Sequence, residues 1–315
     1  MRQLRYVEGL LCIGGRRMIL MKHLYSFLLV VFFIISCEAF AISADNASKE
    51  DAKTYRLYND IQLLSNIKYV YGKSQLMVKT VYPYLMGYAE NFAVDHFNDL
   101  VKEKLQQGID IFKLKVEYAR LAQQALPAKK RKNHLYIDYA ASFGTFNQHH
   151  LLSIRLTFQG NIAGESHPYH YHQVINYDLD EDEQFALNDL FDPDLDFLNA
   201  LSEHARDVLS KRLSNTYMIA SGTEPTPQNF RNWNINVAGL LFTFEEDQVA
   251  PYVNGAQTVL IPFSVLKKYL SKNSPLAGCI KRAKSCARHP LQTGGFIDEA
   301  FNSSRGLFNP ILSHG

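Results

Sequence analysis

The stretch 150–159, HLLSIRLTFQ, sets Leu152, Ile154, Leu156 and Phe158 in strict alternation with Ser153, Arg155, Thr157 and Gln159. Successive side chains of a strand point to opposite faces, so this pattern predicts a strand with one apolar and one polar face. Leu135–Phe143 upstream repeats the period, with Tyr136, Asp138 and Ala140 alternating with Ile137, Tyr139 and Ala141. His170–Asp178 downstream is a third candidate. Earlier still, Ile67–Val70 and Gln75–Val81 flank the turn signal Tyr71-Gly72-Lys73 and read as paired strands, ended by Pro83 and Gly87. Between these strands, Asn91–Phe112 changes period. Phe92, Val94, Phe97, Leu100, Val101, Leu105, Ile109 and Phe112 recur in steps of three and four, which marks an amphipathic helix. Gly108 should weaken its last part.

After the third strand, Leu187–Phe191 leads through Pro193 to a helix over about Leu195–Leu213, capped by Asp192 or Asp194. Trp233–Phe244 and Val259–Ile261 supply further strands, and Pro262 opens a short helix to about Leu270. The fold class is α+β, built as two small antiparallel-sheet-plus-helix subdomains over 58–155 and 156–271. Residues 273–315 form a polar tail without period, expected to be loosely ordered.

The 315 residues are 47% hydrophobic and 20% charged, with a net charge of +2. That near-neutral balance argues against a dedicated nucleic-acid binder, and the basic run 127–133 reads as a solvated loop. Met21–Ala41 has the order of a signal peptide: Lys22 and His23, the apolar run Leu24–Ile35, then Ala39-Phe40-Ala41. The run is too short for a spanning helix, which needs roughly 20 apolar residues. Cleavage after Ala41 would place the mature protein in the periplasm or outside the cell. Ile34-Ile35-Ser36-Cys37 also fits a lipoprotein box, which would make the chain an envelope lipoprotein acylated at Cys37. Contact with a membrane requires that acylation or an uncleaved signal. Residues 1–20 read as an overlong start, with Met18 or Met21 the more ordinary beginning, and residues 42–57 as a linker. Beyond the targeting segment only Cys279 and Cys286 remain. An even pair in an oxidising compartment is most simply a disulfide; free thiols in a mobile tail are the alternative. A zinc site built on the pair lacks two further cysteines.

The richest polar constellation is Ser166-His167-Pro168-Tyr169-His170-Tyr171-His172, with His149 and His150 upstream. On a strand His170 and His172 share a face and could chelate a metal, with His149, His150 or Glu165 as third ligand. Structural or partner contact by His167, Tyr169, His170, Tyr171 and His172 is the plainer reading, since Pro168 interrupts the strand. The acidic run Asp178, Asp180, Glu181, Asp182 lacks the glycine and terminal glutamate of a calcium loop and reads as a polar turn. Glu245, Glu246 and Asp247 form a second such turn. Both could face a basic partner. Nucleophile-elbow, metalloprotease and phosphate-loop motifs are absent, no cofactor is expected, and no catalytic residue is assigned.

Val81-Tyr82-Pro83-Tyr84-Leu85, followed by Asn91 and the long helix, resembles the small accessory (PdaC-like) domain found beside the catalytic domain of bacterial peptidoglycan deacetylases. Gly164-Glu165-Ser166-His167-Pro168, the strand Val174–Asp178, Leu187–Phe191, Phe230–Trp233, Gly239-Leu240, Pro251-Tyr252, Gly255 and Ile261-Pro262-Phe263 resemble, in order, the extracytoplasmic domain of RsiV-type anti-sigma factors. Together they span about residues 58–271. The resemblance implies an α+β ligand-binding surface outside the cytoplasm; in the anti-sigma members that domain binds lysozyme. With no sigma-binding segment ahead of the apolar run and no deacetylase domain after residue 271, neither sigma-factor inhibition nor deacetylation is expected. The sequence therefore predicts an exported, non-catalytic module that binds lysozyme or peptidoglycan. The alternatives are a lysozyme inhibitor and a metal-dependent hydrolase using His167, His170 and His172.

Overall fold

The computed structural model describes residues 54–73, 75–87, 92–284 and 286–293. The signal-like segment, Cys37, residues 42–53 of the linker and residues 294–315 of the tail lie outside the described residues.

Eight strands form one large sheet. They are β1 (Thr54–Tyr58), β2 (Ile61–Gly72), β3 (Leu76–Met86), β4 (Asn133–Phe146), β5 (His149–Asn161), β6 (Tyr169–Asp178), β7 (Glu183–Gln184) and β11 (Ala287–Gln292). Asn59 and Asp60 both adopt positive φ, which suits the tight turn joining β1 to β2. The long strands pair antiparallel except β3 with β4, which run parallel because a helix connects them. That helix, α1, spans Phe92–Tyr118, six residues beyond the expected end, and is followed by α2 (Arg120–Gln124). Its buried face, Phe97, Val101, Leu105, Ile109 and Phe112, covers the apolar face of β4 and β5 (Leu135, Ile137, Ile154, Leu156, Phe158).

β3 pairs with β4 only as far as Thr80↔Ile137. Beyond that point β3 is an edge strand, and it runs through Pro83, which sits opposite Ser65. The expected break at Pro83 does not occur, because a proline on an open edge forfeits no ladder hydrogen bond. The second half of β4 pairs instead with β11, from Ala287↔Phe146 to Gln292↔Ser142. Residues 278–281 and 287–292 of the tail thus form regular elements where the sequence predicts none, and β11 fills the strand edge that β3 vacates.

A second layer lies against the opposite face. β8 (Trp233–Asn236), β9 (Gly239–Phe244) and β10 (Gln257–Pro262) form a three-stranded antiparallel sheet in the order β10-β9-β8. Its outer face packs Leu240, Phe242, Val259 and Ile261 against Leu201, Ala205 and Leu209 of α3 (Phe197–Ser210). Asp196 caps that helix, accepting a hydrogen bond from Asn199 N at 3.2 Å. The expected caps, Asp192 and Asp194, fall short because the helix starts two residues later than its apolar pattern. The described residues also include the short α-helices α4 (Thr216–Gly222), α5 (Phe263–Leu266) and α6 (Gly278–Lys281).

The two layers meet through polar groups. Ser153 Oγ donates to Asn176 Oδ1 (2.5 Å) and accepts from Asn234 Nδ2 (2.9 Å) and Ile235 N (3.0 Å). Asn176 Nδ2 donates to Trp233 O, and Arg155 Nη1 to Thr243 Oγ1 at 3.1 Å. The boundary read at 155/156 falls inside β5, whose polar face carries this layer and whose apolar face carries α1, so the two expected subdomains share one sheet. The α+β class stands as expected.

Candidate functional site

Opposed residues on neighbouring strands share a face of a sheet. One such row runs Tyr69↔Lys79↔Tyr136↔Gln159↔His170 across β2, β3, β4, β5 and β6. It lies on the same face as the small sheet but beyond that sheet's reach, so Tyr69, Tyr136 and Gln159 are exposed. Tyr71 extends the face at 75% exposure, opposite Met77, which is in turn opposite His134. Lys79 Nζ sits 5.9 Å from the Tyr69 ring centre, and the His134 and Tyr136 rings are 5.2 Å apart. The outcome is a shelf of tyrosine rings among amide, imidazole and ammonium groups. No site motif marked Tyr69, Tyr71 or Tyr136; the available signal was the period-2 placement of tyrosines on the polar side of their strands.

At the end of this shelf the small sheet begins, and there His170 and His172 meet Glu245. Their ligand atoms lie within 4.8 Å of one another. Glu245 Oε1 accepts from His172 N (2.9 Å) and Asn232 Nδ2 (2.6 Å), and Oε2 contacts His172 Nδ1 at 2.9 Å. Glu246 Oε1 lies 3.4 Å from His170 Nδ1. Burial pushes the Glu245 carboxyl up, but the hydrogen bond and charge of His172 outweigh it and leave the group below its ordinary range. Burial, then the neighbouring His172, lowers His170. Burial, then the adjacent Glu245 and Asp247, raises Glu246.

Other sequence candidates take different roles. His167 is exposed and its ring lies 4.8 Å from that of Tyr252. Tyr169 and Tyr171 point to the α1 face, where Tyr169 meets Phe112 (5.2 Å) and Tyr171 stacks on Phe158 (4.5 Å). Burial pushes the Tyr169 hydroxyl up to about 12 and Tyr171 higher still. Both are half-buried and pack on the α1 side of the sheet.

The first acidic turn is committed internally. Asp178 pairs with His149 at 2.5 Å, Asp180 with His150 at 3.0 Å and Asp182 with His96 at 2.7 Å. His149 and His150, suggested as third metal ligands, are therefore held elsewhere, and His96 was not singled out by the sequence. The Tyr58 ring stacks on His150 at 3.6 Å. Glu181 and Asp247 are exposed. Cys279 and Cys286 are bridged, with Cα atoms 4.9 Å apart. No helix among the described residues is long and apolar enough to cross a membrane.

Residues 188–264 match the family described as DUF3298, protein of unknown function. The chain is 29% identical over 112 residues to the peptidoglycan-N-acetylmuramic acid deacetylase PdaC of Bacillus subtilis, an alignment covering 35% of this chain and 24% of that protein. It is 25% identical over 109 residues to the immunogenic protein MPT64 of Mycobacterium tuberculosis, covering 35% and 48% respectively. The matched region thus spans about a quarter of the first relative and about half of the second. Two solved DUF3298 structures align at 14% identity. The one from Bacteroides fragilis has a TM-score of 0.49, covering 74% of this chain and 98% of its own. The one from Pseudomonas aeruginosa has a TM-score of 0.41, covering 68% and 94%.

Proposed function

We propose that this chain is an extracytoplasmic, non-catalytic binding module for a cell-wall glycan, which lies along the row Tyr69–Lys79–Tyr136–Gln159–His170. The observation that carries the reading is the exposed tyrosine shelf on a rigid sheet. Aromatic rings offer an apolar face to the C–H groups of a sugar, while the amide and ammonium groups beside them take its hydroxyls and N-acetyl groups. The similarity to a peptidoglycan deacetylase supports the choice of ligand, and the Cys279–Cys286 bridge supports an oxidising compartment. A lysozyme-type partner is the less favoured ligand, because the aspartates that would meet a basic enzyme are already paired with His149, His150 and His96.

The test is retention of the purified protein on insoluble peptidoglycan, beside a parallel measurement on immobilised lysozyme. Retention should fall in Tyr69→Ala and Tyr136→Ala, each ring being worth about 1 kcal/mol, or roughly fivefold in affinity. Retention on lysozyme alone, or on peptidoglycan with equal strength in the double variant, would defeat the reading.

A further inference from the structure

We propose that His170, His172 and Glu245 form a binding site for one zinc ion, pinned between the large sheet and the small one. The site shares His170 with the end of the glycan shelf, but its argument does not rest on glycan binding.

The residues reach one point for a topological reason. His170 and His172 stand two apart on β6 and so project from the same face of the large sheet. Glu245 follows the last residue of β9, where the small sheet ends. Two imidazoles from one layer and a carboxylate from the other converge with ligand atoms within 4.8 Å. A tetrahedral zinc with bonds of about 2.0–2.1 Å sets its ligands roughly 3.3 Å apart. The His172–Glu245 contact at 2.9 Å is already that close. The widest pair need draw in by only about 1.5 Å, a movement that side-chain rotation supplies.

Two further observations point to a ligand. His170 Nδ1 is buried and has no hydrogen-bond partner. The side chain is 13% exposed, and the nearby Glu246 does not meet hydrogen-bonding geometry at 3.4 Å. Buried ring nitrogens without partners are uncommon, and a metal is one of the few things that satisfies them. Glu245, in turn, is oriented in advance. Its Oε1 is held by the Asn232 side chain and the His172 backbone, which leaves Oε2 to face the imidazoles. Outer contacts that fix a carboxylate in this way are a usual feature of metal sites.

The donor set narrows the metal. Two imidazole nitrogens and one carboxylate oxygen suit zinc, a set it shares with iron(II) and other late first-row ions, and in a four-coordinate zinc site three protein ligands leave the fourth position to water. Calcium and magnesium prefer all-oxygen shells.

The experiment is calorimetric titration of the chelator-stripped full chain with zinc, with metal content measured after gel filtration. One zinc per chain is expected. His170→Ala, which breaks no hydrogen bond, should keep the fold by circular dichroism and lose stoichiometric zinc. Glu245→Gln should weaken binding at least about tenfold, and Asn232→Ala about 10- to 100-fold. Cobalt should give the visible absorption of a four-coordinate site in the wild type and not in His170→Ala. Folded wild type that takes up no zinc would overturn the proposal, as would His170→Ala that binds zinc as tightly as wild type.

Discussion

Asn98 on α1 binds both backbone groups of Leu85 on β3: its Oδ1 accepts from Leu85 N at 2.8 Å and its Nδ2 donates to Leu85 O at 2.9 Å. The side-chain amide does what a neighbouring strand would do. It is needed here because β4 leaves β3 after Thr80, so the edge of β3 is bare where α1 covers it. Open edges buried under a helix must find partners for each N–H and C=O.

Asn98→Ala should therefore destabilise the protein by about 2–4 kcal/mol, since two buried backbone groups lose their partners at roughly 1–3 kcal/mol each. Asn98→Asp keeps the acceptor for Leu85 N but turns a carboxylate on Leu85 O, and should cost a similar amount. Chemical denaturation reads both. A loss under about 0.5 kcal/mol in Asn98→Ala would mean that water replaces the amide.

Gly108 and Phe158 fit as notch and knob. A Cβ built on Gly108 would lie 2.2 Å from the Phe158 ring and 2.4 Å from the Tyr171 hydroxyl. Gly160 on β5 does the reverse for Phe112, whose ring would lie 2.7 Å from an added Cβ. Propensity alone says that Gly108→Ala gains about 1 kcal/mol in a helix. Overpacking at this contact costs about 1–3 kcal/mol, so the variant should be less stable than wild type, by thermal or chemical unfolding. A stabilised variant would show that α1 can lift from the sheet.

These contacts mark how far the sequence could be read. Alternation in 150–159 and the three-four spacing from Phe92 to Phe112 depend on one element at a time, and both appear where expected. Gly108, Pro83 and Asn98 look like faults inside regular elements because their reasons lie in a different element: Phe158, the departure of β4, the bare edge at Leu85. β11 has the same origin, since its six residues gain a place only from the edge that β3 vacates. At the candidate site His170 and His172 were legible from their spacing. Glu245 as their partner was not, because 73 residues separate it from His172 and only the stacking of two sheets joins them. The tyrosine shelf is likewise a row across strands, which no single stretch of sequence displays.

The Cys279–Cys286 bridge should matter more than its place in a polar tail implies. Both cysteines are buried in the second core beside Leu276, and the strand that follows Cys286 pairs with β4. The bridge closes a short loop, with a sequence separation of 7. Chain entropy for that loop amounts to about 2.5 kcal/mol. Cys279→Ala/Cys286→Ala should lower stability by at least that much, and hydrogen exchange at 287–292 should rise with it. Unchanged protection in β11 would show that the strand docks without the bridge.

His204 on α3 supplies the last test, through pH. Burial lowers its pKa from the ordinary 6.5, against opposing contributions from Asp207 and from the Leu260 carbonyl of β10, while Lys211 adds to the lowering. The sign follows from proton linkage. Between the two pKa values the unfolded chain binds more protons at this position than the folded one, and stability then falls as pH falls. The loss should begin as pH drops toward 6.5 and stop below the folded value. His204→Gln keeps a donor for the Leu260 carbonyl but cannot titrate. Melting midpoints of wild type and variant, followed from about pH 7.5 to about pH 5 at constant ionic strength, should therefore diverge, with wild type losing more as the solution becomes acidic. Other histidines titrate in both proteins and cancel in the difference. A difference that stays constant with pH would show that His204 reaches solvent when it takes up its proton.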